Sequence, residues 1–278
     1  MKYLVTGGTG FIGGALVRKL IEKEDEVTCL VRPSSKFNLH ELGTPVTLNP
    51  DYSKYDIVYH IAGQMGKKGL PYETYKEPAV FLTAKILKDM SKGQRFVYMS
   101  SQNVILKNTP NGYLKYYRDT KREGEEIVNR MAKEREIEYR IIRPGVTYGR
   151  GDYHNLGLFK FIKRLGTLFP IVGSGKNKMG FTYIDDVTRA TINSFEFEEE
   201  IIPVAGERIM MKDVFRLIAR ALGVGEPKFH IPAIKVEPFR DWLKMDFFTC
   251  DFLFTSIVET IPLEEGLAKC INWYKEAM

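Results

Sequence analysis

The segment Val5-Thr6-Gly7-Gly8-Thr9-Gly10-Phe11-Ile12-Gly13 constrains the fold of this chain more than any other. It follows an apolar run that reads as a strand, Tyr3–Thr6, and opens an amphipathic stretch that reads as a helix, Phe11–Glu22. Gly8, Gly10 and Gly13 satisfy G-x-G-x-x-G, while Gly7, Gly10 and Gly13 are spaced by three. Without Cβ atoms, such a turn brings backbone N–H groups against a pyrophosphate, and the helix start adds partial positive charge. The expected cofactor contacts here are Gly7, Thr9, Gly10, Phe11, Ile12 and Gly13.

The same rhythm continues. Strands are expected at Glu26–Val31, Asp56–Ala62, Arg95–Ser100 and Glu138–Arg143, alternating with helices at Thr74–Lys92 and Lys115–Arg135. Alternation of this kind implies an α/β fold with a Rossmann-type, doubly wound parallel sheet. After Pro144 the pattern changes, with glycine-rich turns at Gly149–Gly151 and Gly173–Gly180 and thinner strand character, around Ile201–Val204. Further helices are expected near Leu156–Leu165, Asp185–Ser194, Lys212–Leu222 and Leu263–Lys275. The expected division is a dinucleotide-binding domain over 1–150, with roughly 181–195 returning to it. A smaller C-terminal substrate lobe takes 151–180 and 196–278.

Composition narrows the class. Lys and Arg number 41 against 35 Asp and Glu, a formal charge of +6 that suits an anionic small ligand. Acidic and basic residues interleave, which argues against nucleic acid. No apolar run is long enough to span a membrane. Cys29, Cys250 and Cys270, and His40, His60, His154 and His230, are scattered. Neither set has the spacing of a metal site or a disulfide framework, so no metal and a reducing, cytoplasmic setting are expected.

The second strand ends in Cys29-Leu30-Val31-Arg32-Pro33-Ser34-Ser35-Lys36, with no acid to hold a ribose 2′-hydroxyl. Arg32, with Lys36, Ser34 and Ser35 beside it, suits a 2′-phosphate, so NADP is the expected cofactor and NAD the alternative. Tyr117 and Lys121 lie four apart on an expected helix and share a face. An ammonium beside a phenol favours the phenolate and makes Tyr117 a candidate general acid/base.

Several motifs then fall in order: the glycine turn, His60-Ile61-Ala62-Gly63, Phe96-Val97-Tyr98-Met99-Ser100-Ser101, Tyr117-Arg118-Asp119-Thr120-Lys121 and Arg143-Pro144-Gly145-Val146-Thr147-Tyr148-Gly149. Gly173-Ser174-Gly175, Asp185-Asp186-Val187 and a final stretch from Leu263 to Trp273 complete the series. In this the chain resembles the extended short-chain dehydrogenase/reductase family, which includes sugar-nucleotide epimerases and dehydratases, 3β-hydroxysteroid dehydrogenases and dihydroflavonol reductases. The resemblance implies that Ser101, Tyr117 and Lys121 are catalytic. It also implies that Lys121 holds the nicotinamide ribose, that Ala62 and Gly63 pass along the cofactor, that Pro144 borders the nicotinamide and that Asp51-Tyr52 lies near the adenine. A homodimer through the helices at Thr74–Lys92 and Lys115–Arg135 is implied as well.

Two departures bear on substrate. Val146 stands where many sugar-nucleotide enzymes carry an asparagine for the diphosphate, and Met179 where they carry an arginine, with Lys176 and Lys178 as neighbouring point charges. Phe239, Trp242, Phe247, Phe248, Phe252 and Phe254 suggest an apolar pocket or a lobe core. The leading expectation is therefore an NADP-dependent oxidoreductase acting on a ketone or secondary alcohol. The alternative is an NAD-dependent nucleotide-sugar epimerase or dehydratase using the same site, and a non-catalytic cofactor-binding regulator is the minor one.

Overall fold

The structure, a computed structural model, describes residues 1–32, 44–106, 112–232 and 256–278. The chain forms, in order, β1 (Lys2–Thr6), α1 (Phe11–Glu22), β2 (Glu26–Leu30), β3 (Val46–Thr47), β4 (Ile57–His60) and α2 (Tyr72–Lys76). A π turn (Glu77–Phe81), α3 (Leu82–Asp89), β5 (Arg95–Met99), α4 (Tyr113–Glu134) and β6 (Glu138–Pro144) follow. Then come β7 (Val146–Tyr148), α5 (Leu156–Leu165), β8 (Pro170–Val172), β9 (Lys178–Tyr183), α6 (Ile184–Ile192) and β10 (Ile201–Val204). The last elements are β11 (Arg208–Met210), α7 (Met211–Leu222), β12 (Phe229–Ile231) and α8 (Leu263–Ala277).

Two compact units emerge. The first comprises Met1–Ile105, Asn111–Pro144 and Val187–Ile202; the second comprises Leu106–Pro110, Gly145–Asp186 and Pro203–Met278. The return to the first unit, expected over 181–195, thus begins at Val187, because Lys178–Tyr183 forms a strand within the second unit.

The first unit is built on a seven-stranded sheet in the order β10-β6-β5-β4-β1-β2-β3. Parallel pairing joins β1 to β2 and β4, β2 to β3, β4 to β5 and β5 to β6. Strands β1 and β4 are neighbours although far apart in sequence, so the connections leave the sheet in opposite directions there. A crevice opens at such a reversal, outside the carboxyl ends of the strands. Every residue of β4 is buried, as expected for a strand covered on both faces. A core of Leu4, Val58, Ile86, Leu87, Phe96, Val128 and Ile141, among others, packs the sheet against α3 and α4.

The helix expected as one piece over Thr74–Lys92 is broken by the π turn. Pro78 is the cause: it lacks an N–H, and its ring would press on the carbonyl one turn back, which a wider turn relieves.

The second unit holds more strand than the sequence pattern announces. It contains a three-stranded sheet, β11-β9-β7, and a parallel pair, β12-β8. The segment read as a glycine-rich turn up to Gly180 in fact enters β9 at Lys178. Strands as short as β7, β8 and β11 give alternation too little length to register. The aromatic stretch from Phe239 to Phe254, and Ser34, Ser35, Lys36 and Cys250, lie outside the described residues.

Candidate functional site

The glycine turn connects β1 to α1 at the reversal point. Gly7 has φ +72°, a conformation that L side chains rarely adopt, and a Cβ there would lie 2.8 Å from the Ala62 nitrogen. Gly10 caps α1, its N–H donating to the Gly7 carbonyl at 2.9 Å. A Cβ on Gly13 would stand 2.1 Å from the same carbonyl oxygen, so the start of α1 lies directly against the turn. The first turn of α1 carries no acidic residue. Thr9, Phe11 and Ile12 are half-buried around it. Three of these glycines stand where a side chain would close the cradle, which fits a bound pyrophosphate.

Strands β1, β4, β5 and β6 end at Thr6, His60, Met99 and Pro144, and the expected site residues follow from those ends. Ala62 and Gly63 come just after β4, and a Cβ on Gly63 would meet the Lys121 ammonium at 3.1 Å. Ser101 follows β5 and is buried, and its hydroxyl is paired with the Tyr117 phenol. Tyr117 and Lys121 lie on one face of α4, as their spacing predicts. Tyr116, its neighbour on α4, packs against the rings of Tyr72 and Tyr75, at 5.1 and 6.0 Å.

Lys121 is only 3% exposed. Its ammonium donates to the Met99 carbonyl at 2.6 Å and lies 5.0 Å over the Tyr98 ring. Burial lowers its pKa to about 8, opposed by the Glu125 carboxylate one turn further along α4. The Tyr117 phenol is pushed up by burial, with the Ser101 hydroxyl pulling it down.

Other buried polar side chains beside these residues were given no role by sequence. Glu125 accepts from Ser100 Oγ at 2.5 Å and forms a two-pronged ion pair with Arg143, at 2.8 and 2.5 Å. This pair ties β5, α4 and the end of β6 together just before Pro144, which is buried. His60, within an apolar strand, is wholly buried and hydrogen-bonded through both ring nitrogens. The available signal was the histidine itself, since a polar ring on a strand covered on both faces must find partners.

Three further expected features stand on other elements. Arg32 is exposed, just past the end of β2. Asp51 caps the short turn at Tyr52–Lys54 by accepting from Ser53, and Tyr52 is buried in the sheet core. In the second unit Met179 is 2% exposed within β9, so it serves as a packing residue of the three-stranded sheet. Lys176 and Lys178 are exposed near it. Among the described residues, no group of His, Cys, Asp and Glu is placed to hold a metal, and no helix is long and apolar enough to cross a membrane.

The sequence profile of the NAD dependent epimerase/dehydratase family matches residues 3–203, nearly three quarters of the chain. The chain belongs to that family. Its members are enzymes of the extended short-chain dehydrogenase/reductase type, as the motif series implied. The chain is 27% identical to the "Putative UDP-glucose 4-epimerase" of Methanocaldococcus jannaschii over 304 aligned positions, covering 98% of each chain. It is 29% identical to the 2-alkyl-3-oxoalkanoate reductase of Stenotrophomonas maltophilia, covering 70% of this chain and 66% of that one. The fold matches the crystal structure of UDP-glucuronic acid 4-epimerase from Bacillus cereus in complex with NAD. The TM-score is 0.73 at 22% identity, covering 100% of this chain and 99% of that one.

Proposed function

We propose that this family member is an NAD-dependent epimerase of nucleotide-linked sugars, in which Ser101, Tyr117 and Lys121 form the reactive group. The observation that supports the substrate class is an end-to-end likeness that reaches through the second unit. The putative UDP-glucose 4-epimerase aligns through 98% of both chains at 27% identity. That is above the 22% of a 3-beta-hydroxysteroid dehydrogenase of Mycolicibacterium neoaurum, which also aligns through 99% of this chain and 92% of its own. The reductase covers 66% of its own length. The substrate lobe is therefore read as the second unit, and its kinship points to a sugar nucleotide.

In this reading the cradle of Gly7, Gly10 and Gly13 holds the pyrophosphate of the dinucleotide, with Thr9, Phe11 and Ile12 lining the helix start. Ala62 and Gly63 run along its middle, Lys121 holds the ribose hydroxyls and Pro144 borders the nicotinamide. The bound nicotinamide supplies hydride uptake and return at a substrate carbon. Ser101 orders the Tyr117 phenol through their hydrogen bond. Tyr117 takes the proton of the substrate hydroxyl and gives it back, and the nearby ammonium of Lys121 stabilises the phenolate in between. Dehydration fits less well, because expelling a hydroxyl calls for an acid beside the sugar. Gln102 and Asn103, which follow Ser101, are amides. Asp119, Glu123 and Glu125 of α4 are engaged with Arg118, Lys76 and Arg143 respectively.

The test is to incubate the purified protein with UDP-glucose, UDP-glucuronate or UDP-N-acetylglucosamine and substoichiometric NAD, following the anomeric protons by NMR. Appearance of the 4-epimer without net NADH supports the proposal; unchanged spectra with all three sugars oppose it.

A second reading, an NADP-dependent ketone reductase, rests on Arg32 at the end of β2, on Val146 and on Met179. It predicts net NADPH consumption with ketone substrates and binding of NADPH at least about ten-fold tighter than NADH. Cytoplasmic location fits the free, buried Cys29 and Cys270. Self-association through α2–α3 and α4 is testable by light scattering, a monomer mass being the opposing result.

A further inference from the structure

His60 sits at the centre of an unbroken chain of hydrogen bonds that the reaction itself does not use. Its Nε2 lies 2.9 Å from the carbonyl oxygen of Pro78, which can only accept, so Nε2 carries the hydrogen. Its Nδ1 lies 2.7 Å from Thr6 Oγ1, which already accepts the Ala62 N–H at 3.1 Å. Burial and the Lys121 charge keep the ring neutral, lowering its pKa to about 3, so with Nε2 carrying the hydrogen Nδ1 accepts and the Thr6 hydroxyl donates to it. Thr6 and His60 are direct partners across β1 and β4, so the chain crosses the sheet at the reversal point.

Each end of this chain meets something specific. At one end, the Ala62 backbone packs on Gly7 so closely that no Cβ could intervene, and Gly63 faces the Lys121 ammonium. At the other end stands the π turn. Its next carbonyl, of Ala79, accepts from Tyr98 Oη at 3.2 Å and Thr83 Oγ1 at 2.8 Å. A Cβ on Gly124 of α4 would fall 2.1 Å from that same Tyr98 oxygen. The π turn is thus anchored to the sheet through two strands and to α4 through a glycine.

We infer that His60 is a positioning residue of the dinucleotide site: by holding the Thr6 hydroxyl it fixes Ala62 and Gly63 between the glycine turn and Lys121. The inference rests on the proposed cofactor site and adds a residue to it. His60 touches no substrate and moves no proton in the reaction. It sets where the backbone after β4 runs, with the Pro78 carbonyl as its far abutment.

The two halves of the ring can be separated by substitution. Asparagine at 60 keeps an acceptor near the Nδ1 position and gives up Pro78; glutamine keeps a donor near the Nε2 position and gives up Thr6. Dissociation constants for NAD and NADPH, by calorimetry, and melting temperatures without nucleotide are measured on His60→Asn, His60→Gln, Thr6→Val and Thr6→Ser. The expected result is a split. His60→Asn and Thr6→Ser bind within about two-fold of the parent even where melting falls, whereas His60→Gln and Thr6→Val bind about ten-fold more weakly. Affinity that is unchanged in His60→Gln and Thr6→Val, or that follows melting temperature alone across the four, overturns the inference while leaving the cofactor site standing. A parent protein that binds neither nucleotide removes the cofactor site and the inference together.

Discussion

Each unit buries a polar network, and the two are resolved differently. In the second, Asp152 is 1% exposed, yet both carboxylate oxygens are met. Oδ1 accepts from the Asn155 backbone at 3.1 Å, and Oδ2 accepts from Asn155 Nδ2 at 2.7 Å and from Tyr274 Oη at 2.8 Å. Tyr274 in turn accepts from the Gly149 backbone at 3.2 Å, fastening α8 to the turn after β7. In the first unit Lys121 spends one of its N–H groups on Met99, and the Tyr117 phenol is held by Ser101. Both amide atoms of buried Gln102, next to Ser101, have no hydrogen-bond partner among the described residues. A network closed on itself stabilises a fold; one with hydrogen-bonding capacity in reserve is prepared for something that arrives.

The largest effect that would sharpen this contrast is on chemistry. Tyr117→Phe is expected to lower turnover by about 10²- to 10⁴-fold. NAD affinity should stay within about two-fold, because one hydroxyl leaves and the cradle is untouched. Retained turnover would remove Tyr117 from the reactive group.

Glycine substitutions come next. Gly13→Ala places a methyl 2.1 Å from the Gly7 carbonyl oxygen, and Gly206→Ala places one 1.8 Å from the Phe181 carbonyl oxygen. Both neighbours are backbone, so each change should destabilise its unit by about 1–3 kcal/mol. Only Gly13→Ala should also weaken NAD binding by more than about ten-fold beyond what its fraction folded explains. Equal loss of binding in both would break the distinction between the units.

Removing the closure of the second network is a smaller change. Tyr274→Phe takes one donor from Asp152 and is expected to cost about 1–3 kcal/mol in denaturant unfolding. Michaelis constants should not move.

The least effect per step is one of pH, and its sign differs between the units. The folded pKa of His60 is about 3, below the value near 6.5 that it regains on unfolding. Between those values the unfolded chain binds the extra proton, so stability is lost as pH falls below 6.5, by up to about 1.4 kcal/mol per pH unit. Burial raises the Asp152 pKa, against the pull of its hydrogen bonds. The folded state therefore binds the extra proton first, and this group favours folding as pH drops toward its folded pKa. Amide exchange from pH 7 to 4.5 should show β1 and β4 losing protection before β7 and α8. The difference should shrink in His60→Asn, and protection lost evenly would contradict both signs.

Much of this was legible in the residues. The glycine turn, the Tyr117–Lys121 pair and the strands of the large sheet announce themselves because each has a local signature: a spacing, a period or an apolar run. The break at Pro78 was legible in principle, since proline inside a helical pattern demands a remedy, but which remedy is decided by the sheet beneath it. The Glu125–Arg143 pair and the partners of His60 join residues 18 apart in sequence, or as many as 54, and no local pattern encodes such meetings. The short strands of the second unit were hidden for the opposite reason: β7 and β11 are three residues each, too brief to alternate.

The π turn has a consequence for how this chain tolerates changes in length. Such a turn holds one residue more than the α turn it replaces, so the helices on either side keep the facing they would have in its absence. Deleting a residue between Glu77 and Phe81 is then an unusually mild deletion for the packing of α2 and α3, whereas the same deletion inside α4 would swing everything after it by about 100°. What it would withdraw is the carbonyl that Pro78 holds out to His60. At this point of the chain, the count of residues is itself part of the site.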